Sequence, residues 1–194
     1  MVDVVLFHHV QGLTPGVRAL AAALAGTEHT VHTPDLYGGR TFATLADGLA
    51  RARSLDAPTL RREVDALVDA LPGPLVHAGI SWGVLHAQRL AQTRPGALGA
   101  LLLEACLPVG EDGFGPWPAG LPVQVHGVED DESFAGDGDL AAARDLAERV
   151  GPQHAQVFTY PGCDHLVLDA SLPTHDPGTT ALVVQRARDL LARL

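Results

Sequence analysis

Six short apolar runs, rich in Val and Leu and separated by longer segments of helical periodicity, constrain this chain more than any other feature. The runs fall at residues 2–7, 29–33, 74–80, 100–104, 122–126 and 156–160. A strand that is apolar on both faces must be covered on both, so strands alternating with helices imply a parallel sheet between two helical layers. Helices are expected near 15–25, 59–71, 82–93, 139–150 and 179–191, with a further one within 41–54. Thr14-Pro15 and the acids from Asp137 to Asp139 supply helix-start chemistry, and Gly151-Pro152 supplies a stop. Right-handed crossovers then predict an α/β fold: a doubly wound, mostly parallel sheet of about six strands in the order 2-1-3-4-5-6. The switch point of such a sheet lies between the first and third strands, and ligands bind at the strand C-termini beside it.

The 194 residues are read as one domain spanning 1–194, with no internal repeat and no long linker. The formal charge of −10 comes with 13 basic residues, all of them arginine and none of them clustered. Nucleic acid and anionic membranes are therefore not expected as partners. The first residues run straight into a strand pattern without a basic leader, and no apolar segment is long enough to span a membrane, so a cytoplasmic location is expected. Cys106 and Cys163 are read as idle thiols, because two cysteines make neither a disulfide framework nor a metal set. Joining His8 and His9 to His32 and Asp35 gives no recognised ligand spacing, so neither a metal nor a cofactor is expected.

Between the third strand and the following helix stands Gly79-Ile80-Ser81-Trp82-Gly83, a G-x-S-x-G pattern for which chance placement predicts roughly 0.05 occurrences. A sharp strand-to-helix turn of this kind lifts a serine hydroxyl above the sheet edge. The hydroxyl needs a base and an orienter for that base, which in such sheets follow on later loops in the order Ser, acid, His. After the fifth strand comes Glu129-Asp130-Asp131-Glu132, and after the sixth comes Gly162-Cys163-Asp164-His165. Ser81 and His165 are thus candidate nucleophile and base, while Glu129, Asp130 and Asp131 remain open as the acid. Charge on a tetrahedral intermediate needs preorganised N–H donors, expected from the backbone of Trp82 and of Val10 in the loop after the first strand, with His9 and Gln11 as alternatives to Val10. A capping role for Ser81 and an ordinary solvated turn for the acids are the plainer alternatives.

Together with the Pro34-Asp35-Leu36-Tyr37 run, these motifs make nearly the whole chain resemble a compact, minimal member of the dienelactone hydrolase family of α/β-hydrolases. The resemblance implies a Ser81, Asp131, His165 triad and cleavage of a small ester, lactone or thioester, with no cofactor. It also implies a small-molecule ester or lactone as partner and leaves the oligomeric state open. His9, Gln11, Tyr37 and Trp117 are expected to line the substrate site, and the Gly/Pro-rich loop holding Trp117 could wall it. His77, His86 and His126 are expected to be hydrogen-bonded interior residues. The chain departs from the founding pattern at three places. Ser81 stands where those enzymes carry cysteine, His9 where they carry a glutamate, and Asp169 where an arginine holds the substrate carboxylate. A dienelactone is therefore not the expected substrate, whereas acyl transfer to water is. The alternative is a catalytically silent protein of the same fold that binds a ligand.

Overall fold

The computed structural model describes residues 1–111 and 113–194. Six strands, β1 (Asp3–Phe7), β2 (Thr30–His32), β3 (Leu75–Ile80), β4 (Ala97–Leu103), β5 (Val123–Val128) and β6 (Ala155–Tyr160), form one sheet in the order β2-β1-β3-β4-β5-β6. Every neighbouring pair is parallel. This is the predicted order, and it follows from burial on both faces: β3 and β5 carry no exposed residue along their length.

Alternation along each strand divides the core. Val4 and Leu6 face one layer with Val17, Leu20 and Leu24 of α1 (Pro15–Ala25) and Val183, Ala187 and Leu190 of α6 (Pro177–Leu191). Val5 and Phe7 face the other with Leu60, Val64 and Val68 of α3 (Ala57–Asp69) and Ala87 and Leu90 of α4 (Gly83–Thr93). That second layer continues under β4 and β5 as α5 (Asp139–Val150), through Leu140, Ala143 and Leu146. A short helix α2 (Leu45–Ser54) crosses above the β1 end, capped by Thr44, whose hydroxyl accepts the Asp47 N–H.

Two of the details that differ from expectation have a plain local cause. Helix α3 starts at Ala57 because Asp56 caps it and Pro58 sits in its first turn, where a missing N–H costs nothing. A one-turn π-helix at Glu132–Gly136 has no periodic sequence signal and is held by Phe134, which is fully buried against Gly127. Among the described residues no helix is long and apolar enough to cross a membrane.

Candidate active site

Phe7 pairs with Gly79, so the loops leaving β1 and β3 emerge side by side. Their approach is tight enough to require both glycines of the turn. A Cβ on Gly79 would run into the Gly83 carbonyl carbon, and one on Gly83 into the carbonyl oxygen of Phe7. Ser81 sits between them with φ at +49°, a conformation that non-glycine residues rarely adopt, held by its N–H donating to Leu103 O at 2.7 Å. The turn thereby points the hydroxyl away from the sheet edge at the start of α4.

Ser81 Oγ lies 2.8 Å from His165 Nε2, and His165 Nδ1 lies 2.6 Å from Asp131 Oδ2. Asp131 is 2 % exposed, and its other oxygen accepts the Ser133 N–H at 2.9 Å. Glu129 and Asp130, the adjacent acids, both face solvent. Register explains the choice: β5 runs two residues past the predicted end, to Val128, and the π-turn begins directly after Asp131. Burial alone would depress His165, but the hydrogen bond to Asp131 and the charges of Glu104, Asp131 and Asp139 outweigh it and raise its pKa.

The loop His8 to Gly12 is fixed by its own side chains. His8 Nδ1 donates to His9 O at 2.7 Å while its Nε2 accepts the Leu36 N–H, and burial lowers its pKa to about 4, so the ring is neutral. His9 Nδ1 accepts the Gln11 N–H, which places the ring proton on Nε2, donated to Asp169 at 2.8 Å. Asp169 also accepts from the Thr14 hydroxyl and the Ser171 N–H, and these hydrogen bonds leave its pKa well below the usual carboxylate range. Burial acts upward on that carboxyl, and the hydrogen bonds win. Gln11 is clamped by two bonds, Nε2 to Phe42 O and the Phe42 N–H to Gln11 O. Val10, between these anchors, faces the cleft. Among the described residues neither Val10 N–H nor Trp82 N–H is spent on an internal hydrogen bond.

The cleft above Ser81 has a volume of about 440 Å³. Leu45, Leu49 and Arg53 of α2 form one wall, and Ser133, Asp137 and Asp139 form the opposite one. Trp82, Leu85, Glu104, Ala105 and Leu107 complete it.

The expected substrate contacts need correction. His9, Gln11 and Tyr37 do not reach this cleft: the first two are consumed in holding the β1 loop, and Tyr37 is buried, packed edge-on to His8 and tilted against Trp82. Trp117 lines a different depression of about 450 Å³ with Pro116, Pro118 and Arg149, and its ring N–H is bonded to Leu121 O. The loop therefore walls a separate hollow. Among the described residues, only His126 of the three interior histidines is fully hydrogen-bonded, to Tyr160 and Gln124, while both nitrogens of His77 and the Nε2 of His86 have no partner. Burial lowers all three, so their rings are neutral.

Sequence reasoning missed Glu104, which reads as the polar end of an apolar strand. It is 2 % exposed, has φ at +59°, and lies in the cleft wall. Its location beside a G-x-S-x-G turn on the adjacent strand was the one available signal. Asp139, expected only as helix-start chemistry, accepts the Cys106 N–H and stands on the cleft wall, where burial raises its pKa. Cys106 and Cys163 are both free. Among the described residues no group of three His, Cys, Asp or Glu side chains is placed to hold a metal ion.

No family model matches the chain, and no curated protein matches it closely. Solved structures do. A dienelactone hydrolase-like promiscuous phosphotriesterase from metagenomic libraries superposes with a TM-score of 0.77 at 20% identity, covering 100% of this chain and 87% of that one. A provisionally assigned dienelactone hydrolase of Klebsiella pneumoniae gives 0.76 at 15% identity over 99% and 87%. Esterase 2 of Thermogutta terrifontis, captured phosphoramylated by tabun, gives 0.63 at 18% identity over 99% and 83%. The chain has the α/β-hydrolase fold, in the compact form shared by dienelactone hydrolase-like proteins.

Proposed function

We propose that this protein is a serine hydrolase of the dienelactone hydrolase kind, cleaving a small neutral ester, lactone or thioester through an acyl-Ser81 intermediate. One observation carries the reading: an unbroken hydrogen-bonded chain from Ser81 Oγ through His165 to Asp131, opening on a cleft between two free backbone N–H groups. His165 Nε2 takes the Ser81 proton as Oγ attacks the carbonyl carbon, and Asp131 holds the other ring nitrogen in its protonated form. The N–H groups of Val10 and Trp82 receive the oxyanion, the latter at the first turn of α4, where the helix dipole assists. The imidazolium then gives its proton to the leaving oxygen or sulfur. Water repeats the cycle with His165 as base and releases the acid.

The carboxylate anchor of the founding enzymes has no counterpart at Asp169, which is buried and bound to His9 and Thr14. That supports a substrate without a carboxylate at this place.

A fluorophosphonate probe tests the assignment. Wild type is expected to label stoichiometrically at neutral pH and to give a burst with p-nitrophenyl acetate, while Ser81→Ala retains the fold and shows neither. Equal labelling of the two, or none of folded wild type, leaves a silent ligand-binding protein.

A further inference from the structure

The cleft contains one buried carboxyl for which the proposed reaction has no use. Glu104 follows β4, and its N–H donates to His126 O, which continues the sheet ladder past the strand end. One carboxylate oxygen accepts the Val167 N–H at 2.7 Å; the other is buried with no partner among the described residues. Val167 is two residues beyond His165, and Leu166 between them has φ at +61°. Ser81, Glu104 and Leu166 are the non-glycine residues with positive φ among the described ones, and all three surround this site. Strain concentrated in this way persists only where surrounding contacts enforce it. An apolar residue at 104 would spare the protein both an unpaired buried oxygen and the desolvation of a carboxyl, so stability alone does not account for Glu104.

We propose that Glu104 is a positioning residue for His165: its carboxyl fixes the loop carrying the imidazole through Val167 N–H, and its negative charge, with that of Asp131, stabilises the imidazolium formed when Ser81 loses its proton. The catalytic part of this role rests on the reading of Ser81 and His165 given above; the electrostatic part does not. Burial pushes Glu104 up to about 7, with His165 and the Val167 N–H opposing the rise and Asp131 and Asp169 adding to it. A proton on the imidazole therefore favours an ionised Glu104, and the titrations of the two groups are coupled. The groups facing them are Asp131 after β5, Asp139 at the start of α5, and Asp169 before α6. His126 of β5, which borders the same interior gap as Glu104, is held neutral by burial.

The test is a pH titration of His165 by NMR in protein labelled with 13C-histidine, the resonance being assigned by its loss in His165→Asn. Glu104→Gln keeps an oxygen for Val167 N–H and removes the charge. The His165 pKa is expected to fall by about one unit, with kcat on p-nitrophenyl acetate falling about tenfold and KM changing less than about twofold. Glu104→Asn, which suits a left-handed backbone best among neutral polar residues, provides a second charge-free variant and must give the same downward shift. A folded variant of either kind in which His165 titrates as in wild type overturns the proposal. The titration needs no turnover, so failure of Ser81 to react with a fluorophosphonate would remove the hydrolase reading and leave the coupling between Glu104 and His165 separately measurable.

Discussion

At the scale of single residues, the site turns on which of three consecutive acids meets the imidazole. Glu129, Asp130 and Asp131 are chemically equivalent candidates in the sequence, and a one-residue change in the length of β5 would exchange them. Burial separates them in the fold: Asp131 alone is enclosed, and it spends one oxygen on Ser133 N–H and the other on His165. Asp131→Asn is accordingly expected to lower kcat by about 10⁴-fold, because an amide can donate to Nδ1 and stabilise the wrong tautomer. The same change at Asp130, or Glu129→Gln, should stay within about twofold. The pH profile gives an independent check. With His165 as the proposed base, activity is expected to fall as pH drops through its raised pKa; removing the Asp131 charge lowers that pKa, so the residual acid limb moves to lower pH. An acid limb that does not move in Asp131→Asn would detach this carboxylate from the base. The meeting of Ser81 with His165 was legible because their neighbours carry chemistry in short motifs. The place of Glu104 was not, since what ties its carboxyl to the His165 loop is a hydrogen bond to Val167, 63 positions away along the chain.

At the scale of elements, strands were legible where burial on both faces left short runs of Val and Leu, as in β1 and β4. Their order was legible because handedness and sequence adjacency leave few alternatives. Ends and irregular turns were less so. The π-turn after Asp131 depends on Phe134 filling the space over Gly127, a tertiary contact that residue spacing does not encode. The expected cleft wall was misplaced for a related reason: the Trp117 loop is as apolar as a cleft wall should be, yet it lines another depression, and Leu45 and Leu49 of α2 line the cleft. Close approach between elements is the most demanding requirement of all. Gly83 lets α4 begin against the carbonyl of Phe7 in β1, and no side chain there can rotate away, because backbone meets backbone. Gly83→Ala is expected to destabilise the fold by about 3 kcal/mol, read as a lowered urea midpoint with unchanged slope. Leu85→Ala, on the exposed face of the same helix, should cost less than about 1 kcal/mol. Equal effects of the two would show that the β1–α4 contact does not limit stability.

At the scale of the whole molecule, charge and site point the same way. The net charge of −10 is matched locally by Asp137 and Asp139 in the cleft wall, joined by Glu104 when it is ionised, against one arginine among the described lining residues, Arg53, which is exposed on α2. By the resemblance to the dienelactone hydrolases, Asp169 stands where the founding enzymes hold an arginine, and the residue it binds, His9, is another of the three departures. The two substitutions thus form one buried pair, which ties the Val10 loop to the segment following His165 and does so without reaching the cleft. A carboxylate on the substrate would meet a like-charged wall with no fixed cation opposite. Field effects of this kind act on approach and are screened by salt, because the Debye length falls from about 30 Å at 0.01 M to about 3 Å at 1 M. The mono-p-nitrophenyl ester of succinate is therefore expected to have kcat/KM about tenfold below that of the neutral p-nitrophenyl butyrate at about 0.01 M salt. Raising the salt to about 1 M should close most of that gap by increasing the rate of the anionic ester while leaving the neutral one nearly constant. A gap that persists unchanged at high salt would assign the discrimination to shape, and faster turnover of the anionic ester at low salt would mean that Arg53 governs entry despite the acids facing it.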